Sequence, residues 1–196
     1  ATHLLHWALK QVLGQHAQQK GSLVGPDVLR FDFAHNQAMT HEEIRRVEEL
    51  VNAKVLSNAP VDTAVLGIAE ARERGAVAIF EEKYGDVVRV LTMTADSVEL
   101  CGGTHCHALG EIGVFKIISE GGTAAGVRRV LAATGFNALA HVNRVEDELS
   151  RARAAAKAAT GGDLAERIQK MNARDKELER RIKQLEKQLV EGSGGG

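Results

Sequence analysis

The sequence predicts an α+β fold followed by a helical extension, on three observations. Apolar residues recur at helical spacing near the N-terminus and again over residues 40–56; short β-branched runs punctuated by glycine lie among and after them; and a heptad seam fills the last part of the chain. The helices fall among the strands without a regular βαβ beat, which favours α+β over a doubly wound parallel sheet.

The first segment, ATHLLHWALKQVLGQHAQQ, carries Leu4, Leu5, Ala8, Leu9, Val12 and Leu13 at helical spacing and predicts a helix that stops near Gly21. DVLRFDFAH then alternates Leu29, Phe31 and Phe33 against Val28, Arg30 and Asp32, the period of a half-buried strand. In THEEIRRVEELVNAKVL, a capping Thr40 and early acids precede Ile44, Val47, Leu50 and Val51 on one face of a second helix. The runs VDTAVL (61–66), VVRVLTM (87–93), GVFKIIS (113–119) and VRRVLAATG (127–135) read as strands, with AEARERG (69–75) as a short helix after the first.

From Phe136 the composition turns helical. After a break at TGGD (160–163), Leu164, Ile168, Met171, Asp175, Leu178, Ile182, Leu185 and Leu189 alternate by four and three, with Asp175 as an irregular core position. Such a seam wants a partner, either the preceding helix folded back as a hairpin or a second chain in a coiled coil. The expected divisions are residues 1–137 for the α+β domain, 138–190 for the helical segment and 191–196, ending in GSGGG, for a flexible tail.

At 196 residues and 44% hydrophobic content, the chain has room for one ordinary core plus an appendage. No apolar run approaches the ~20 residues of a bilayer-spanning helix, and no secretory leader pattern is present, so a cytoplasmic setting without a membrane partner is expected. Two cysteines are too few for a disulfide framework. The formal net charge of −1 hides an asymmetry: residues 151–190 carry eleven Lys/Arg against six Asp/Glu, whereas residues 1–150 carry fourteen against nineteen. A basic extension suits contact with phosphates, although a helix this polar is more often simply solvated.

The chemistry concentrates in ELCGGTHCH, residues 99–107. Cys101 and His105, spaced Cys-x-x-x-His across a Gly-Gly turn, let a thiolate and an imidazole converge on one cation, and Zn²⁺ accepts mixed S and N ligands. Two ligands do not complete a site. A histidine from the opening helix, His3 or His6, adds a third, and three protein ligands with one open position is the arrangement of a catalytic zinc. Taken singly, His3 and His6 read as ordinary core or surface histidines, and ELCGGTHCH also admits a plain turn or a Cys101–Cys106 redox pair.

The motifs ATHLLH, QQKGSLV with VLRFDF, ELCGGTH and IGVFKIISEGGTAAGVRRV, in that order, resemble the editing domain of bacterial alanyl-tRNA synthetase. The helical segment after them resembles the linker that follows editing in that enzyme. The second domain of threonyl-tRNA synthetase and free-standing editing proteins share the His and Cys motifs. The resemblance implies a hydrolase, the proofreading part of an alanine–tRNA ligase. Its reaction would be zinc-assisted removal of serine or glycine from mischarged alanine tRNA, at the ester of the 3′-terminal adenosine.

It further implies His3, Cys101 and His105 as Zn²⁺ ligands, with another histidine of a His-x-x-x-His pair four residues before His3, ahead of Ala1. Thr2 matches the family's threonine beside the second histidine, whose hydroxyl tells serine from alanine; a helix cap is the bland alternative. Gln19 matches a polar pocket residue and otherwise reads as a helix-end amide. Arg128 and Arg129 follow the glycine-rich GGTAAG and, with Lys116, are candidate tRNA contacts, against the plainer reading of a solvated strand edge. Cys106 and His107 stand where the family usually has small or polar residues and are not primary ligands. For mechanism, metal-assisted hydrolysis is favoured over attack by a Cys101 thiolate, since no dedicated histidine base is evident beyond the ligand set. The rival to an enzyme is a catalytically silent tRNA-binding or dimerising fragment that uses the coiled segment.

Overall fold

The computed structural model of the chain describes residues 1–76, 85–94, 97–159 and 161–193. The α+β class holds: the described residues form two antiparallel sheets with helices interspersed among the strands. Helix α1 (Thr2–Leu13) buries Leu4, Leu5, Ala8 and Leu9 along one stripe. It stops at Gly14, whose φ of 108° a side-chain-bearing residue rarely adopts, well before the expected stop at Gly21. Residues beyond the turn instead form strand β1 (Gln19–Val24), a hairpin partner for β2 (Leu29–Ala34). Strict alternation in β2 puts Leu29, Phe31 and Phe33 into the core.

Helix α2 (His41–Leu56) opens on the expected Thr40 cap, completed as a capping box. Thr40 Oγ1 accepts from the Glu43 amide at 3.2 Å, and Glu43 Oε2 accepts from the Thr40 amide at 2.7 Å. Its buried stripe, Val47, Val51 and Val55, joins that of α1 in the main core. Asn52 then fastens α2 to the sheet, donating to Phe115 O at 2.9 Å and accepting from Phe115 N at 2.8 Å.

Strands β3 (Asp62–Gly67), β4 (Val87–Thr94) and β5 (Ser97–Leu100) form one sheet in that order, with the short helix α3 (Ile68–Glu73) after β3. Strands β6 (Phe115–Ala124) and β7 (Val127–Thr134) complete the other, ordered β1-β2-β7-β6. The expected strand start at Gly113 gives way to a 3₁₀ turn (Leu109–Ile112) and a glycine at φ 67°. A Cβ on Gly113 would lie 2.9 Å from Gly135 Cα, so a close backbone approach takes the place of strand pairing there.

The chain divides into two compact units, residues 1–142 and 143–196. Helix α4 (Gly135–Ala155) begins in the first and continues into the second. In the second unit, Arg153 donates to Gly162 O at 2.8 Å and Arg167 to Ala156 O at 2.9 Å, closing the elbow before helix α5 (Leu164–Ser193). Asp163 caps α5 by accepting from the Ala165 amide at 2.8 Å. The helix runs past the expected tail boundary at 191 to Ser193, and the tail residues 194–196 lie outside the described residues. The heptad positions of α5 after Leu164 are solvent-facing, from Met171 at 37% exposed to Leu189 at 72%. Among the described residues, no helix is long and apolar enough to cross a membrane.

Candidate metal centre and cavity

Two segments distant in sequence supply the site. His3 lies in the first turn of α1, while Cys101 and His105 flank the turn that leaves β5. One ligand atom from each lies within 4.8 Å of the other two. Imidazole Nε2 atoms of His3 and His105 are 3.3 Å apart.

The Gly102–Gly103 turn brings them together. Cys101 N donates to Arg89 O at 3.1 Å, and the Arg89 guanidinium donates to Gly103 O, so β4 holds the turn by both its backbone and a side chain. A Cβ on Gly103 would rest 3.5 Å from Cys101 Sγ and 3.8 Å from the His105 ring, in van der Waals contact with both donors. Glycine keeps that approach to the thiol and imidazole clear.

Behind His3 stands Glu99, the first residue of ELCGGTHCH and not one of its candidate ligands. The carboxylate is buried and its Oε2 lies 2.5 Å from His3 Nδ1; Oε1 lies 4.0 Å from Nδ1 of the buried His6. An ionised carboxylate only accepts, so His3 carries its proton on Nδ1 and leaves the Nε2 lone pair facing His105. Its sequence signal is the i, i+2 relation to Cys101 at the end of a strand, together with an acid flanked by apolar residues.

Burial holds the His105 imidazole below its ordinary range, with His3 and Arg89 pushing the same way, so near neutral pH it is uncharged and able to ligate. His6, pushed down to about 4 chiefly by burial, is packed in the core 5.6 Å from the Phe31 ring and does not join the donor group. Two imidazoles and a thiol converging, with one imidazole oriented by a carboxylate, fit a Zn²⁺ ion.

A cavity of about 660 Å³ adjoins the donors, and Thr2, His3, Gln19, Cys101 and His105 all line it. Thr2 sits within the first turn of α1 and not at its cap. Gln19 belongs to β1, which corrects its reading as a helix-end amide. The register shift between Gln19 and Gly21 is a β-bulge, and it lets Gln19 and Ser22 meet in a 3.0 Å hydrogen bond although an odd spacing would ordinarily send them to opposite faces. Cys106 also lines the cavity but is outside the donor group, and both cysteines are free thiols.

The three cations expected to touch RNA do not line this cavity. Lys116 Nζ pairs with Glu48 Oε2 at 2.7 Å. Arg128 forms a two-bond fork with Glu120 at 2.5 and 2.7 Å, and Arg129 another with Asp32 at 2.7 and 2.7 Å. Strand alternation sends the two arginines to opposite faces of β7, where each guanidinium is held by a carboxylate on a neighbouring strand.

Residues 88–130, which run from β4 to β7 and include the Cys101–His105 turn, match a family model described as the threonyl and alanyl tRNA synthetase second additional domain. Fold, donor group and match together define a domain of that class. The chain is 66% identical over 194 residues to the alanine–tRNA ligase of Sorangium cellulosum (strain So ce56), and 52% identical over 194 residues to that of Paraburkholderia phytofirmans (strain DSM 17436 / LMG 22146 / PsJN). Each match covers 99% of the chain and 21% or 22% of the relative, so the chain spans about a fifth of the length of these relatives. It belongs to the editing-domain family of the alanyl-tRNA synthetases.

Proposed function

We propose that the chain hydrolyses the ester joining serine or glycine to mischarged alanine tRNA, as the proofreading part of an alanine–tRNA ligase in the cytoplasm. The observation that carries this reading is a single cavity that gathers the His3–Cys101–His105 donors with Thr2 and Gln19. When bound by those three residues, Zn²⁺ would supply Lewis acidity toward an ester carbonyl or a water molecule.

The chain's own groups do the rest. Glu99 fixes the His3 tautomer, and burial keeps His105 neutral. Thr2 Oγ1 hydrogen-bonds the seryl hydroxyl, a partner that alanyl and glycyl groups both lack, so this contact favours serine over alanine and leaves glycine to be taken without it. Gln19 commits its amide nitrogen to Ser22 Oγ, which leaves its carbonyl oxygen to accept from the substrate ammonium or a water. Phosphates of the acceptor end meet Lys116 and Arg129, each more than a third exposed, and Arg128, more enclosed and on the other face of β7 from Arg129, is a further contact.

Deacylation assays on Ser-, Gly- and Ala-tRNA(Ala) with the zinc-loaded chain test the reading. Serine and glycine should leave well above the spontaneous rate and alanine should not, and Thr2→Val should narrow the serine-to-alanine ratio. Spontaneous-rate loss of serine would leave the silent tRNA-binding alternative.

Self-association through residues 164–189 is a second property we propose, favoured by the exposed heptad seam of α5. With Ile168 and Ile182 at one core position and Leu178 and Leu185 at the other, two parallel copies in register pack Ile and Leu layers that suit a two-stranded coil. That orientation also places Arg174 and Arg181 opposite Glu179 and Glu186 of a second copy, whereas an antiparallel pair sets like charges together.

A further inference from the structure

Helix α5 carries a second pattern besides its apolar seam. Lys176, Arg180, Lys183 and Lys187 follow one another at i, i+4, i+7 and i+11. At 3.6 residues per turn the four lie within an arc of about 60° and extend about 16 Å along the helix. No acid between residues 173 and 190 enters that arc: Asp175 belongs to the seam, and Glu177, Glu179 and Glu186 fall to either side. Leu178, Ile182, Leu185 and Leu189 lie on the far side of the helix, so a two-stranded coil leaves the basic line facing solvent.

All four cations are exposed. Other exposed helical cations of the chain sit beside carboxylates: Lys170 lies 2.5 Å from Glu166, Arg46 3.1 Å from Glu49 and Arg74 2.8 Å from Glu70. Among the described residues, Lys176, Arg180 and Lys183 have no such partner, and Lys187 has only Glu191 at 3.7 Å. Like charges four residues apart destabilise a helix, and a polyanion laid along the line relieves their repulsion.

Going beyond the deacylase reading, which concerns the cavity, we propose that Lys176, Arg180, Lys183 and Lys187 form a track for the phosphate backbone of double-stranded RNA. The occupant follows from what the line has and what it lacks. Cations alone meet phosphates without reading sequence. α5 contains no aromatic residue, so it offers a single strand no ring on which to stack its bases and a membrane surface no aromatic anchor. The chain belongs to a family of tRNA synthetase domains, which makes RNA the polyanion it meets. In a parallel coil the two lines face away from each other, so each chain takes its own duplex.

The test uses the full chain and a blunt RNA hairpin without a CCA end, with affinity read by fluorescence anisotropy across a KCl series. The Lys176→Gln/Arg180→Gln/Lys183→Gln variant should bind about tenfold or more weakly at about 0.1 M salt, and its slope of log affinity against log salt should shrink by about 2 to 3. Arg45→Gln/Arg46→Gln/Lys170→Gln removes the same charge from carboxylate-paired sites and should keep the parent slope. The parent chain should prefer the hairpin to a single strand with the same number of phosphates. A parent-like slope in the first variant overturns the proposal, as do equal losses in both variants, which would reflect net charge alone. Preference for the single strand, or tighter binding to phosphatidylserine vesicles than to the hairpin, overturns it as well. The hairpin carries no ester, so each of these results stands apart from serine release, which reports on the deacylase reading.

Discussion

His3 Nδ1 and Glu99 Oε2 lie 2.5 Å apart, so a single hydrogen bond joins the helix that opens the chain to the strand that delivers Cys101. The bond makes His3 a donor behind and a lone pair in front, 3.3 Å from His105 Nε2. Glu99→Gln should therefore lower zinc affinity about 10- to 100-fold while circular dichroism stays unchanged. Competition against a chelator of known affinity measures it. Undiminished affinity would mean that the ring is oriented by packing alone.

Cys101 and Cys106 both line the cavity, but only Cys101 belongs to the donor group. Cys101→Ala should lose zinc and deacylation together, and Cys106→Ala should keep both nearly intact. Metal analysis and serine release on the same preparations decide the point. Equal losses from the two variants would contradict the ligand assignment.

His6 predicts an acid-sensitive core. Burial pushes its imidazole down to about 4 from an ordinary 6.5, with Lys10 acting in the same direction and Glu99 against it. A folded-state value below the unfolded one means that stability is complete above pH 6.5 and shrinks as pH falls towards 4, because only the unfolded chain takes up the proton. The loss from this group amounts to up to about 3 kcal/mol. Asp32, held below its usual range by Arg129, acts in a separate window below the ordinary carboxylate range. Urea unfolding at pH 7, 5.5 and 4.5 should show a falling midpoint in the parent chain and a flatter trend in His6→Phe. Parallel trends would remove His6 as the cause.

For α5, Ile182→Lys should convert a concentration-dependent dimer into a monomer in sedimentation equilibrium, because a buried ammonium facing its own copy is costly. Glu179→Lys should weaken the dimer less, by disturbing only a flanking pair. A parent chain that stays monomeric at high micromolar concentration would contradict the seam's proposed role.

The legible parts of the fold were those with a strong period. Leu4, Leu5, Ala8 and Leu9 announced α1, Leu29, Phe31 and Phe33 announced β2, and Thr40 marked the start of α2. What escaped was structure without a period. β1 reads QKGSLV, an edge strand with a bulge and few buried residues, so the helix was extended over it as far as Gly21. β5 is four residues long, and its buried Glu99 breaks the apolar pattern that would mark a strand. In the site, Cys-x-x-x-His was readable because a turn makes it local; the approach of His3 came from resemblance, since contacts about a hundred residues apart leave no local pattern. The carboxylate partners of Lys116, Arg128 and Arg129 were hidden for the same reason, being set by strand register and helix docking.

The most direct test of the central claim is the initial rate of serine release from Ser-tRNA(Ala), measured while zinc is added back to the metal-free chain. The rate should rise in proportion to bound metal and level off at about one ion per chain, as expected for a single three-donor site, and Cys101→Ala should stay at the spontaneous rate throughout. A rate that ignores zinc, or that survives Cys101→Ala, would contradict the assignment of His3, Cys101 and His105 as the metal centre of an editing hydrolase.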